Sequence, residues 1–390
     1  MNEPLVARMR EFGTTIFSEM TALAVRTGSI NLGQGFPDTD GPASMLEHAV
    51  TAIRGGLNQY PPGPGMPELR QAVAEHRKQH YGLLYEPDGE ILVTVGATEA
   101  LAASVLALCE AGDEVILFEP YYDSYAAAVA LSGAVRRTVA LRPAGDRFTF
   151  DPDELRAAVG PRTRAILVNS PHNPTGTVFT RDELALVAAV CQEHDLIAIT
   201  DEVYEHLTFD GVEHVPMATL PGMRERTVMI SSAGKTFSAT GWKIGWVCGP
   251  PELVAAVQSV KQFLTFTSGA PWQVAVAHAL REELGWVAGA RDALAAKRDR
   301  LMAGLSAAGF GVYRPAGTYF VQTDIRPLGF TDGAELARRL PELAGVVAVP
   351  TQVFYDHPEL GRQFLRFAFC KKDEIIDEAV MRLARLGRAE

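Results

Sequence analysis

The sequence has no two cysteines close together: Cys109, Cys191, Cys248 and Cys370 are scattered, each within an apolar run, and no C-x-x-C pair exists. That spacing argues against a compact zinc or dithiol redox motif and fits buried thiols in a reducing compartment. No metal is expected. Basic residues are outnumbered, 36 Lys and Arg against 47 Asp and Glu, giving a net charge of −11. Broad nucleic-acid binding needs a basic surface, so nucleic acid is not an expected partner. No apolar run reaches the ~20 residues that span a bilayer. The opening stretch MNEPLVARMREFGTTIF also lacks the apolar core of a signal peptide. A cytoplasmic protein with no membrane partner is expected. Two phosphate signatures are missing as well. The AGKT at 233–236 has Met229 where a Walker loop requires glycine, and no G-x-G-x-x-G follows a strand.

What is present is ample core. The chain has 390 residues, 47% hydrophobic and 21% charged, enough for two domains of a globular enzyme. Short apolar runs at 90–96, 113–120, 163–171, 196–202, 226–232 and 244–250 read as strands. Helical patterns separate most of them, including about 98–111 and 180–195, where Asp182 and Glu183 suit the positive end of the helix. Buried strands alternating with helices predict an α/β fold around a mainly parallel sheet. After Pro250 the pattern changes to long helices, roughly 250–265 and 271–308, then strands at 317–325, 345–350 and 364–370 and a last helix at 373–386. We therefore expect a large domain over 46–289 and a smaller α+β domain formed by 1–45 and 290–390. The cluster YPPGPGMP (60–67) reads as a shaped loop.

Several stretches can carry chemistry. VTVGATEAL (93–101) runs from strand through glycine into helix, and a helix N-terminus offers free N–H groups to a phosphate. A purely structural turn is the competing reading. NSPHNPTG (169–176) and TDEVY (200–204) end strands, which is where open α/β sheets build their ligand crevice. Lys235 sits among small and apolar residues, with Lys243 eight places on. A lysine, an aspartate, a tyrosine, two asparagines and a phosphate cradle together suit pyridoxal 5′-phosphate. That cofactor carries an aldehyde, a basic ring nitrogen, a phenolic oxygen and a phosphate. Singly, the asparagines could be turn formers and Asp201 a helix cap.

NLGQGFPD, NQYPPGPG, SPHNPTG, TDEVYE and SSAGKTFSATGWKIGWVCGP together resemble the motifs of the fold type I, class I/II pyridoxal-phosphate aminotransferases, along nearly the whole chain. The resemblance implies that Lys235 holds the cofactor covalently and then moves the substrate α-proton, and that Asp201 pairs with the ring nitrogen. By the same resemblance Tyr204 and Asn173 bond the ring oxygen, Asn169 supports Asp201 or the ring, and Tyr122 stacks on the ring. Gly96, Ala97 and Thr98 would form the phosphate cradle, completed by Ser232 and Lys243. Many relatives carry arginine where Lys243 stands; lysine cannot make a bidentate contact, so the backbone would carry more of the phosphate binding. Arg366 is implied to grip the substrate α-carboxylate beside Asn173, with Gly35 allowing close approach. Tyr60 is implied to reach the phosphate of a neighbouring subunit, which makes a homodimer with interfacial sites the expected assembly.

Within the family the chain is similar to two groups, the bacterial N-succinyldiaminopimelate aminotransferases and the kynurenine–glutamine–methionine group, whose members can cleave cysteine conjugates. The first is preferred. The implied reaction passes an amino group from an amino acid to a 2-oxo acid such as 2-oxoglutarate, with ping-pong kinetics. Candidate side-chain pocket residues are Phe17, Tyr319, Phe354 and the 263–269 loop; Lys261 and Arg10 are candidate cations for a donor with further carboxylates, a solvated surface role being the alternative for each.

Overall fold

Seven strands carry the architecture: β1 (Ile91–Val95), β2 (Glu114–Glu119), β3 (Val135–Ala140), β4 (Thr163–Asn169), β5 (Ile197–Asp201), β6 (Thr227–Ser232) and β7 (Ile244–Cys248). This is a computed structural model, describing residues 4–13 and 15–386. The sheet order is β1-β7-β6-β5-β4-β2-β3. Only β7 runs antiparallel to its neighbours, pairing Gly245 with Thr94 on one side and with Ser232 on the other. The sheet is thus mixed and mostly parallel, as the alternating pattern predicts.

The strands alternate their side chains between two cores, as the period of two requires. Ile91, Val93, Met229, Trp246 and Cys248 face one core, with Leu69, Val73 and Val276 from helices 67–81 and 270–282. Leu92, Val228, Ile230 and Val247 face the other, with Leu101 and Val105 from helix 96–108 and Val257 from helix 251–264. Being covered on both faces is why these strands read as unbroken apolar runs. All four cysteines are buried and unpaired, in keeping with the sequence reading.

Helix 181–193 starts as its acidic first turn predicts. Thr180 accepts from Glu183 N–H while the Glu183 carboxylate accepts from Thr180 N–H, a full capping box. Two boundaries differ from expectation. The helix expected from 98 begins at Gly96, because Glu99 Oε2 accepts from Val95 N–H at 2.6 Å and fixes the first turn. The stretch 271–308 divides at Glu283 into helices 270–282 and 284–307.

A second sheet of four strands, β8 (Gly311–Tyr313), β9 (Phe320–Asp324), β10 (Val349–Pro350) and β11 (Phe364–Ala368), has the order β8-β9-β11-β10. Its core joins Val321 and Leu365 to Met20 and Leu23 of helix 16–27 and to Leu301 and Leu305 of helix 284–307. The start of the chain therefore packs with its end. No helix among the described residues is long and apolar enough to cross a membrane.

Candidate active site

The ends of β1, β4, β5 and β6 lie at one edge of the sheet, where Val95, Asn169, Asp201 and Ser232 stop. Register places Asn169 beside Asp201 and Asp201 beside Ile230. β7 runs the other way, so its first residues reach the same edge and bring Lys243 next to Gly96. A Cβ on Gly96 would stand 3.2 Å from Lys243 Nζ. A cavity of about 290 Å³ opens at this edge. Gly35, Gly96, Ala97, Thr98, Tyr122, Asn169, Asn173, Asp201, Tyr204, Ser232, Lys235, Lys243 and Arg366 all line it. The structure thus gathers every expected site residue except Tyr60, whose side chain is 83% exposed outside the cavity and meets Phe266 edge-on.

The cradle at Gly96 depends on missing side chains. Gly96 takes a φ of 74°, in the left-handed region, which lets the strand turn directly into the helix. Gly245 lies beneath, where a Cβ would come within 2.7 Å of Gly96 C and 2.9 Å of Ala97 N. Lys243 is exposed and, at φ 55°, also left-handed. That geometry holds its stem against Gly96.

Lys235 follows β6 in a single helical turn and is half-buried. Its Nζ donates to Tyr319 Oη at 2.9 Å, and that hydroxyl donates on to Gly35 O at 2.5 Å. Burial is the largest influence on the amine and brings its pKa down to about 8. Asp201 Oδ2 accepts from Tyr125 Oη at 2.7 Å and Oδ1 from Val203 N–H at 3.2 Å. Burial raises the pKa of this carboxyl despite both bonds. Asn169 Nδ2 donates to Asp201 O, and Asn169 Oδ1 accepts from Asn173 N–H. Asn169 therefore ties the two strand-end loops together.

Arg366 is 1% exposed, in the middle of β11. One terminal nitrogen donates to Asn173 Oδ1 at 2.9 Å and the other to Gly33 O at 3.0 Å, while buried Nε has no partner. Among the described residues no carboxylate pairs with it. The guanidinium lies 4.0 Å from the Phe320 ring centroid and 5.2 Å from those of Phe17 and Phe354. Burial lowers its pKa to about 10. A buried, uncompensated guanidinium is costly, and an anionic ligand would offset that cost. Its fork suits a carboxylate. Gly35 faces this side of the cavity, where a Cβ would stand 2.4 Å from Phe320 Cζ, so any side chain would displace the ring under Arg366.

The expected side-chain pocket needs correction. Phe17 lines the cavity, and so does Phe320, which sequence reasoning did not single out. Phe354 is buried behind Arg366. The 263–269 loop lies outside the cavity, with Phe263 85% exposed. Lys261 is no pocket cation: it is buried and donates to Phe266 O at 2.6 Å, closing its own helix end. Arg10 donates to Leu5 O, away from the cavity. Gln34 and Tyr125 were also missed; Tyr125 lies in the first turn of helix 123–132 and meets the ring of Tyr122, its N-cap residue, edge-on.

Three comparisons agree with this geometry. The sequence model of the family "Aminotransferase class I and II" matches residues 27–383. A Mycobacterium tuberculosis protein named probable N-succinyldiaminopimelate aminotransferase is 54% identical over 390 residues, covering 98% of each chain. The solved structure of N-succinyldiaminopimelate aminotransferase from M. tuberculosis superposes with a TM-score of 0.96 at 55% identity, over 98% of this chain and 100% of that one. The methionine aminotransferase of Escherichia coli is 39% identical, covering 99% of this chain and all of its own.

Proposed function

Because the chain belongs to the class I and II aminotransferases, we propose that it takes the amino group of N-succinyl-LL-diaminopimelate and passes it to 2-oxoglutarate, with pyridoxal 5′-phosphate as cofactor. The observation that carries the site assignment is Arg366, a buried cation with an unpartnered Nε and no carboxylate partner among the described residues, facing the same cavity as a half-buried lysine. The donor assignment is supported by 54% identity along nearly the whole chain to the M. tuberculosis relative.

The residues fit the cofactor. Gly96, Ala97 and Thr98 at a helix start, with Ser232 and Lys243, would hold its phosphate. Asp201, with two donors already in place, would hold the proton on its ring nitrogen. Asn173 and Tyr204 would bond its ring oxygen, and Tyr122 would stack on it. When bound, pyridoxal phosphate supplies the aldehyde that takes the amino group and a ring that accepts the electrons left when the α-proton departs. The chain's own residues do the rest. Arg366 orients the α-carboxylate, so that the α-hydrogen faces Lys235. Lys235 Nζ, neutral above about 8, takes that proton. Tyr319 holds the amine in place.

Gln34 adds a polar group on the substrate side. Lys235 and Lys243 would serve the cofactor, so among the described residues lining the cavity Arg366 is the cation left for the donor. We place the active sites at the interface of a homodimer, where the partner subunit's Tyr60 would complete the phosphate cradle; the exposure of Tyr60 supports this. The core shared by helix 16–27 and the second sheet, which also takes in Val203, Tyr204, Leu207 and Phe209, supports a small unit of residues 1–45 and 290–390 packed on a cofactor-binding unit of 46–289. A cytoplasmic location completes the proposal. The aromatic walls Phe17 and Phe320, with the methionine aminotransferase at 39% identity, favour apolar donors such as methionine or kynurenine as the second reading.

Initial rates with the succinylated donor and 2-oxoglutarate are expected to give parallel double-reciprocal lines, as a ping-pong scheme requires. Intersecting lines would contradict it. A pH prediction follows from the amine. In cofactor-free protein the rate of pyridoxal phosphate capture is expected to rise with pH and level off above about 8, because the neutral amine is the nucleophile. A midpoint near that of an ordinary lysine would show that burial does not tune Lys235.

A further inference from the structure

Tyr204 faces the cavity described above, but Glu205, next in the chain, lines a second cavity of about 590 Å³ together with His80, His206 and His214. Four of the nine histidines meet here, because His76 reaches His206 from helix 67–81. Their Nε2 atoms are 2.9 Å apart. Ligand atoms of His76, Glu205 and His206 all lie within 4.8 Å of one another.

Glu205 is held rigidly. It accepts from Arg77, from Tyr81 Oη at 2.8 Å and from Ser231 Oγ at 2.6 Å. Glu202 stands nearby, accepting from His214 Nε2 at 3.0 Å and 3.9 Å from Arg77. Two carboxylates against one guanidinium leave the local charge negative. One of the two facing Nε2 atoms carries the proton between them, so an ion would bind there once that proton moves to Nδ1 of the same ring.

We propose that His76, His206 and Glu205 bind a divalent ion of the zinc class, with the fourth position open to the second cavity. Nitrogen, nitrogen and carboxylate oxygen form a ligand set that zinc accepts, and an open fourth position is filled by water. Tetrahedral ligands at about 2.0–2.1 Å from zinc stand roughly 3.3 Å apart, so the two imidazoles need to separate by only a few tenths of an ångström. The ion would bind helix 67–81 to the loop that follows Asp201 and carries Tyr204, one residue from the active-site cavity. It would act there as a clamp on the ends of β5. The competing arrangement is a neutral, hydrogen-bonded histidine pair with no ligand. This site does not depend on which amino donor the enzyme uses.

The test is calorimetric titration of the dialysed holoenzyme with Zn²⁺, alone and as the variants His76→Gln, His206→Gln and His278→Gln. The last lies in a separate stacked pair with His48, on other helices. One ion per subunit is expected in the unmodified enzyme. Affinity is expected to fall at least ~10-fold in each of the first two variants and to be unchanged in the third. Absence of stoichiometric binding, or equal binding by all four proteins, would overturn the proposal. Co²⁺ added to the unmodified enzyme gives a readout independent of variant folding. Intense visible bands of a four-coordinate site are expected, and only the weak bands of a six-coordinate ion would contradict it.

Discussion

Lys235→Ala is expected to lower transamination by about 10⁴-fold, the upper end of what a positioned acid–base group contributes, while the protein stays folded. The two parts of this expectation have separate causes. The amine lines the cavity, and burial brings its pKa toward neutrality, to about 8, which suits it to take the α-proton. Structurally, however, Lys235 makes one side-chain hydrogen bond, to Tyr319, whose hydroxyl keeps its bond to Gly35 O when the amine is gone. Removing a half-buried amine also removes a desolvation cost. The measurement is turnover of a saturating donor with 2-oxoglutarate, together with a thermal melt and cofactor retention after desalting. Turnover within tenfold of the unmodified enzyme would refute the role. Loss of activity with a collapsed melt would show that the lysine is structural.

The second large effect concerns Arg366. Arg366→Ala is expected to raise KM for amino donors and for 2-oxoglutarate alike, by about 10-fold to 100-fold. That corresponds to losing charge-assisted hydrogen bonds of roughly 1.5–3 kcal/mol. Every substrate of a transaminase carries an α-carboxylate, so the defect should follow that group and not the side chain. Arg366→Lys should recover little, because a point charge cannot reproduce the planar fork that reaches Asn173 and Gly33 at once. Steady-state kinetics with three donors of different side chain would decide it. A defect confined to one donor would move Arg366 to side-chain recognition.

The site was legible because its residues stand at strand ends that read clearly. Strands covered on both faces give unbroken apolar runs, and the polar residues that close them, Asn169 and Asp201, mark where the sheet meets the cavity. Other features were not legible, for physical reasons. An apolar run has no direction, so IGWVC could not reveal that 244–248 is antiparallel, which is what brings Lys243 to the cradle. The strand 135–140 is at the sheet edge and carries Arg136 and Arg137, so it lacks the apolar signature of its neighbours. Lys261 looked like an available pocket cation because charge alone gives no sign of burial; tertiary packing turns it inward to a carbonyl. Tyr125 was passed over because the neighbouring Tyr122 explained the motif, and the helix start between them, at Asp123, is what turns both toward the cavity. The cluster around Glu205 pairs His76 and His80, one turn apart on helix 67–81, with His206 and His214 from a stretch more than 120 residues on, and no spacing rule joins the two stretches.

A single-turnover experiment tests the proposed reaction most directly. The purified holoenzyme is mixed, without any 2-oxo acid, with N-succinyl-LL-diaminopimelate, kynurenine, glutamine, methionine, phenylalanine or a cysteine conjugate, and the change in cofactor absorbance is followed with the product formed. Fast conversion by the succinylated donor is expected, giving one equivalent of 2-oxo product per subunit, with the other donors slower. An inert succinylated donor beside rapid methionine or kynurenine conversion would contradict the proposed substrate and favour the second reading. Pyruvate and ammonia from the cysteine conjugate would reveal β-elimination.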